Sequence, residues 1–316
     1  MRALALAQGS GLLGAPLPPG QAVQCMGLRF PNAVGLAAGL DKDGVAIDAF
    51  GALGFGFLEI GTLTPLAQPG NDMPRLFRLI PAEGIINRMG FNNEGIAAAL
   101  PHARQRKYRG ILGINIGKNK VTPNERALDD YLACLRAAHP VADYIAVNFS
   151  SPNTPGLREL QSAHALEALL DPLLAESRAL ATTTGKRVPV AVKIAPDLDD
   201  GQLAAMADVF RRVKVDAVIA TNTTIARDTV AGQPHAQEAG GLSGLPVRAA
   251  STAIIRKLSG LLGGEIPIIG VGGIHSADDA REKIAAGATL VQLYTGFIYH
   301  GPALVRRCVD ALATDP

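Results

Sequence analysis

The stretch YIAVNFSSPNTPG, residues 144–156, decides how the rest of the chain is read. It begins as four residues fit for a buried strand and passes at once into two asparagines, two serines and two prolines. Pro152 and Pro155 stiffen the segment and Gly156 supplies a hinge, so Ser150 and Ser151 are held at a strand end. Polar groups placed at the carboxyl end of a buried strand are the layout of a (β/α)8 barrel, whose chemistry sits at that end of every strand.

Seven further apolar runs fit the same plan: 34–39, 57–62, 110–116, 188–195, 216–223, 266–273 and 290–296. Their nearly continuous apolar character suits parallel strands covered on both faces. Helical patterns lie between them. In NERALDDYLACLRAAH (124–139), Leu128, Leu132 and Leu135 keep helical spacing, and SADDAREKIAAG opens on a serine cap followed by acids. Strand and helix alternating eight times predict an α/β fold, a closed (β/α)8 TIM barrel. Loops at 63–93, 149–162 and 224–246 exceed the usual connection and predict a lid loop and a small hairpin insertion at the C-terminal face.

Composition agrees. Of 316 residues, 48% are hydrophobic and 18% charged, which excludes global disorder and implies a large core. A net charge of +2 with interspersed signs offers no basic stripe, so nucleic acid is not an expected partner. Cys25, Cys134 and Cys308 are far apart and the six histidines are dispersed, so no disulfide framework and no metal site are expected. His102, His139 and His164 fall in or beside helical patterns and are expected to face solvent. The segment from Ala3 to Leu28 carries no charge, but its glycines and prolines break it too often for a spanning helix or a signal peptide.

The strand ends carry Asp41 and Lys42, Thr62, Asn115 and Lys118, Asn148 with Ser150 and Ser151, Lys193, Thr221 to Thr223, Gly272 and Gly273, and Tyr294 and Thr295. IIGVGGIH fails the dinucleotide fingerprint because position 275 is His, yet glycines after strand seven backed by YTG suit a phosphate. Lys193 within VAVKIAP needs an anionic or electron-rich neighbour. An ion pair with Glu59, a Schiff-base lysine of an aldolase and a cation facing a reduced flavin all remain open there. Asn87, Asn148, Asn153 and Asn222 offer donors and acceptors together, as the edge of a flat heterocycle requires. Asp41 reads as a turn cap.

LAAGLDKDG, NRMGFNN, NIGKNK, NFSSPNTPGLR, KIAPDL, ATNTT, GGLSG, GVGGI and QLYTGF together resemble the dihydroorotate dehydrogenases of the quinone-linked class 2, from about Met26 to the C-terminal helix. The resemblance implies FMN held by Ala38, Gly39, Leu40, Asp41, Lys42, Thr62, Asn115, Asn148, Lys193 and Thr221, with its phosphate near Gly244, Gly273, Tyr294 and Thr295. It implies dihydroorotate or orotate at Lys42, Asn87, Arg88, Met89, Gly90, Phe91, Asn148, Asn153, Asn222 and Thr223. Ser151 matches the family's base, where class 1 carries cysteine; Thr154, with a water near Phe91, is expected to begin a proton relay.

The expected electron acceptor is ubiquinone or menaquinone, used by a monomer at the cytoplasmic side of the inner membrane. Residues 1–25 are expected to be a shortened form of the family's membrane- and quinone-docking region, leaving the chain soluble if that region is missing, and residues 26–316 to be the FMN-binding barrel. Weak quinone turnover is the corresponding expectation. The rival readings are the Lys193 aldolase and a non-catalytic phosphate- or nucleotide-binding barrel.

Overall fold

The computed structural model describes residues 20–154 and 156–313. Residues 1–19 of the expected docking segment, and Pro155, lie outside the described residues. Strands β1 (Val23–Cys25) and β2 (Leu28–Phe30) pair as an antiparallel hairpin that runs across the expected boundary at residues 25 and 26. Cys25, Met26 and Phe30 pack on Phe57, Tyr144, Ala217 and Leu290, which open four of the barrel strands. The hairpin therefore covers the barrel's amino-terminal end, opposite the expected site.

Eight strands form the barrel: β3 (Val34–Leu36), β4 (Phe57–Leu63), β7 (Ile111–Ile116), β8 (Tyr144–Asn148), β9 (Val190–Ile194), β10 (Ala217–Ala220), β12 (Ile268–Val271) and β13 (Leu290–Leu293). They close in the order β10–β12–β13–β3–β4–β7–β8–β9, and every pairing is parallel. All but β7 are buried at every position, which is why they read as unbroken apolar runs. Inside, two glycines make room for two aromatic rings. A Cβ on Gly35 would lie 2.4 Å from Phe57, and one on Gly113 would lie 2.1 Å from Tyr144. Any side chain at either glycine displaces a ring from a close-packed interior.

The predicted hairpin is β5 (Leu76–Leu79) with β6 (Gly84–Asn87), and a third strand, β11 (Gly241–Gly244), joins it from the 224–246 loop. Phe77, Leu79, Ile86, Val230, Ala236 and Leu242 give this small sheet its own core. The 149–162 loop holds a 3-10 turn at Leu157–Gln161.

Two sequence expectations are corrected. The helix Ala127–Ala138 buries Ala127, Tyr131, Cys134, Leu135 and Ala138, so its inner face is rotated from the expected one, and Leu128 and Leu132 are only partly buried. His139 is buried because it continues that inner face one turn beyond Leu135, whose carbonyl accepts its backbone N–H. His102 and His164 are exposed. Capping boxes open the helices Asp200–Val213, through Asp199 and Gln202, and Ala277–Ala285, through Ser276 and Asp279. Among the described residues, no helix is long and apolar enough to cross a membrane.

Candidate active site

The carboxyl ends of the barrel strands and the small sheet enclose an open-mouthed pocket, with about 940 Å³ of empty space when the open mouth is counted. From the barrel strands and the residues just beyond them come Ala38, Gly39, Lys42, Thr62, Asn148, Lys193, Thr221 and Gln292; from the end of β6 comes Asn87, and from the loops come Met89, Gly90, Phe91, Ser151, Asn153, Asn222 and Thr223. Gly244, Gly272, Gly273, Tyr294, Thr295 and Gly296 form its glycine-rich end. All four asparagines singled out in the sequence are therefore brought together.

Two lysines line the pocket and no Asp or Glu does, among the described residues. The cavity is built for an anion. Burial pushes the Lys42 ammonium down to about 8, with Asp43 opposing the shift. Burial also lowers Lys193, against the pull of the Glu59 carboxylate. No ion pair joins Lys193 to Glu59 among the described residues.

Glu59 is instead satisfied by other partners. Its Oε1 accepts from Asn115 Nδ2 at 2.8 Å, and its Oε2 accepts from the Tyr144 hydroxyl at 2.7 Å and from Gln292 Nε2 at 2.8 Å. The chain continues outward: Thr62 Oγ1 donates to Asn115 Oδ1 at 2.5 Å, and Asn148 Nδ2 donates to Thr62 Oγ1 at 3.0 Å. Every donor in this row points toward the one buried carboxylate, which fixes the rotamers of Thr62, Asn148 and Gln292 at the pocket wall. Sequence reading missed Tyr144 and Gln292; a tyrosine and an amide inside otherwise apolar strands were the available signal.

Ser151 is buried, lines the pocket, and its Oγ accepts the backbone N–H of Asn153 at 3.2 Å. Asn153 Nδ2 donates to Asn87 Oδ1 at 3.3 Å, and Asn222 Nδ2 donates to Ser150 Oγ at 3.0 Å, so the loops brace one another around the serine.

Several expected contact residues stand outside the lining. Asp41 turns both carboxylate oxygens to the backbone N–H groups of Val45 and Ala46, which is a turn cap. Leu40 packs against the hydrophobic core. Arg88 pairs with Glu238 at 2.7 Å and lies over the Phe77 ring. Asn115 sits one layer deeper, in the Glu59 row. Lys118 donates to the Thr122 carbonyl at 2.6 Å. Thr154 is buried beside the pocket, and no hydrogen bond joins it to Ser151 among the described residues.

The side chains present fit a flavin and its phosphate. Thr221 Oγ1, Thr223 Oγ1, Asn153 Oδ1 and Gln292 Oε1 belong to residues that line the pocket, are buried and have no hydrogen-bond partner among the described residues. Buried polar atoms of this kind call for a ligand that hydrogen-bonds them. At the glycine-lined end a Cβ on Gly244 would lie 2.8 Å from Thr295 Cγ2, and one on Gly273 would lie 2.4 Å from Arg248 Cβ. Both positions line the pocket and admit only glycine, so this end of the wall carries no side chain at either of them.

Fold and site define a (β/α)8-barrel enzyme with a cationic, amide-rich mouth pocket. Comparison with known proteins narrows this. The family model described as Dihydroorotate dehydrogenase matches residues 21–315, and the chain belongs to that family. Dihydroorotate dehydrogenase (quinone) of Thiobacillus denitrificans is 63% identical over 98% of this chain and 92% of its own length. The protein of the same name from Burkholderia multivorans is 59% identical over 100% and 92%. The crystal structure of Eimeria tenella DHODH in complex with ferulenol superposes with a TM-score of 0.91 at 39% identity, covering 98% of this chain and 89% of that one. Membership sets aside the aldolase and the non-catalytic barrel.

Proposed function

We propose that this chain oxidises (S)-dihydroorotate to orotate with FMN as its resident cofactor and a membrane quinone, ubiquinone or menaquinone, as the final acceptor. The observation that carries the reading is the pocket itself, in which two lysines, four asparagines and a buried serine converge with no carboxylate among the lining residues. Lys42 meets the substrate carboxylate, and Asn87, Asn148, Asn153 and Asn222 match the pyrimidine's alternating carbonyl and N–H edges.

Ser151 passes its hydroxyl proton toward Thr154 through a water beneath Phe91 as its Oγ takes the proton from C5 of dihydroorotate, and the N–H of Asn153 steadies the alkoxide character of that oxygen during the transfer. Lys193 supplies positive charge, while Gly244, Gly273 and Thr295 surround the phosphate. When bound, FMN supplies a hydride acceptor that a quinone can reoxidise. A monomer is the working unit of this reading. The residues ahead of β1, uncharged from Ala3 onward, make the peripheral membrane contact.

Mixing the purified holoprotein with dihydroorotate without air tests this. Bleaching of the flavin absorbance with one orotate formed per flavin is expected; an unchanged oxidised spectrum would refute it.

A further inference from the structure

Glu83, His275 and His300 come from three distant parts of the chain and meet outside the pocket. Glu83 ends the 3-10 turn between β5 and β6, His275 follows β12, and His300 closes the helix Thr295–His300. Glu83 Oε2 lies 2.9 Å from His275 Nδ1 and 3.3 Å from His300 Nε2, and the three ligating atoms all fall within 4.8 Å of one another. His300 Nε2 is buried and makes no hydrogen bond, so its approach to the carboxylate is not explained by one.

We infer that these three side chains form a binding site for a divalent transition-metal ion of the zinc class. Two imidazoles and a carboxylate are donors of intermediate softness, which suit Zn²⁺, Co²⁺ or Ni²⁺ and disfavour Mg²⁺. Metal bonds of about 2.0–2.2 Å place neighbouring ligand atoms roughly 3.0–3.5 Å apart. The His300–Glu83 separation of 3.3 Å lies at that spacing, and the 2.9 Å contact of His275 Nδ1 with Glu83 Oε2 is a hydrogen bond that an ion would replace. Glu83 and His300 keep 37% and 28% of their side chains exposed, which leaves water access to the remaining coordination positions.

The consequence is mechanical. His275 follows Gly273 and Ile274, and the His300 helix begins at Thr295 and Gly296, all four of which line the glycine-rich end of the pocket. Glu83 precedes β6, which pairs with the strand that ends at Gly244. A bound ion therefore ties the small sheet to both phosphate-side loops. Dispersed in sequence, with no HxxxH or HxH spacing, the three residues carry no motif.

The test uses holoenzyme stripped with EDTA and then given Zn²⁺ alone, with Mg²⁺ as control. Zn²⁺ binds at one per chain by calorimetry and raises Tm by roughly 5 °C at a hundredfold excess over Kd, whereas Mg²⁺ does nothing. Both His300→Ala, at a partly exposed helix end, and Glu83→Gln, which keeps the shape, weaken Zn²⁺ binding by about tenfold or more. Absence of tight binding to the wild type, or equal affinity in wild type and both variants, would overturn the site.

Discussion

The Tyr144 hydroxyl donates to Glu59 Oε2 at 2.7 Å, and both residues are fully buried in the barrel. A buried carboxylate survives there only because three side chains donate to it. Tyr144→Phe removes one donor and should lower unfolding stability by about 2 kcal/mol in urea titrations. Glu59→Gln sets a second amide against the row that ends in Asn148. It should weaken flavin retention by about tenfold, read from the fluorescence of released cofactor.

Lys42 gives a pH dependence. Burial brings its ammonium down to about 8, so it is charged below that pH and loses its charge above it. A carboxylate substrate needs the charged form. KM for dihydroorotate should stay flat below pH 8 and climb by up to about tenfold per unit above it, and Lys42→Met should raise KM at every pH. A wild-type KM unchanged up to high pH would contradict the role.

Lys283 is fully buried and donates to the Arg248 carbonyl at 3.0 Å, Ser251 Oγ at 3.1 Å and Thr252 Oγ1 at 2.7 Å. Burial pushes it from the ordinary 10.5 to about 7. Between those values the unfolded chain binds more protons than the folded one, so this residue makes stability rise with pH across that window. Urea midpoints measured between pH 7 and pH 10.5 should show a shallower rise in Lys283→Met than in the wild type.

Thr154 is expected to assist Ser151 through water, since no direct hydrogen bond joins them among the described residues. Thr154→Ala should slow flavin reduction by about tenfold without changing substrate affinity. Reduction at the wild-type rate would remove Thr154 from the path.

The barrel was legible because strands covered on both faces leave continuous apolar runs, and the pocket because lysines and asparagines gather at or just past the carboxyl ends of those runs. β11 was not legible, since GLSG has two glycines in four residues and becomes a strand only by pairing with β6. The resemblance assigns Leu40, Asp41 and Arg88 to the site. The backbone turns their side chains to the core, to Val45 and Ala46, and to Glu238. Tyr144 and Gln292 went unread because their partner, Glu59, is fixed by the closed barrel and not by nearby sequence.

The central claim is that Ser151 removes the substrate proton. Its most direct test is anaerobic single-turnover reduction of the bound flavin by dihydroorotate in Ser151→Ala. A fall of about a hundredfold or more, with flavin content and dihydroorotate affinity unchanged, is predicted. Reduction within about twofold of the wild type would contradict it.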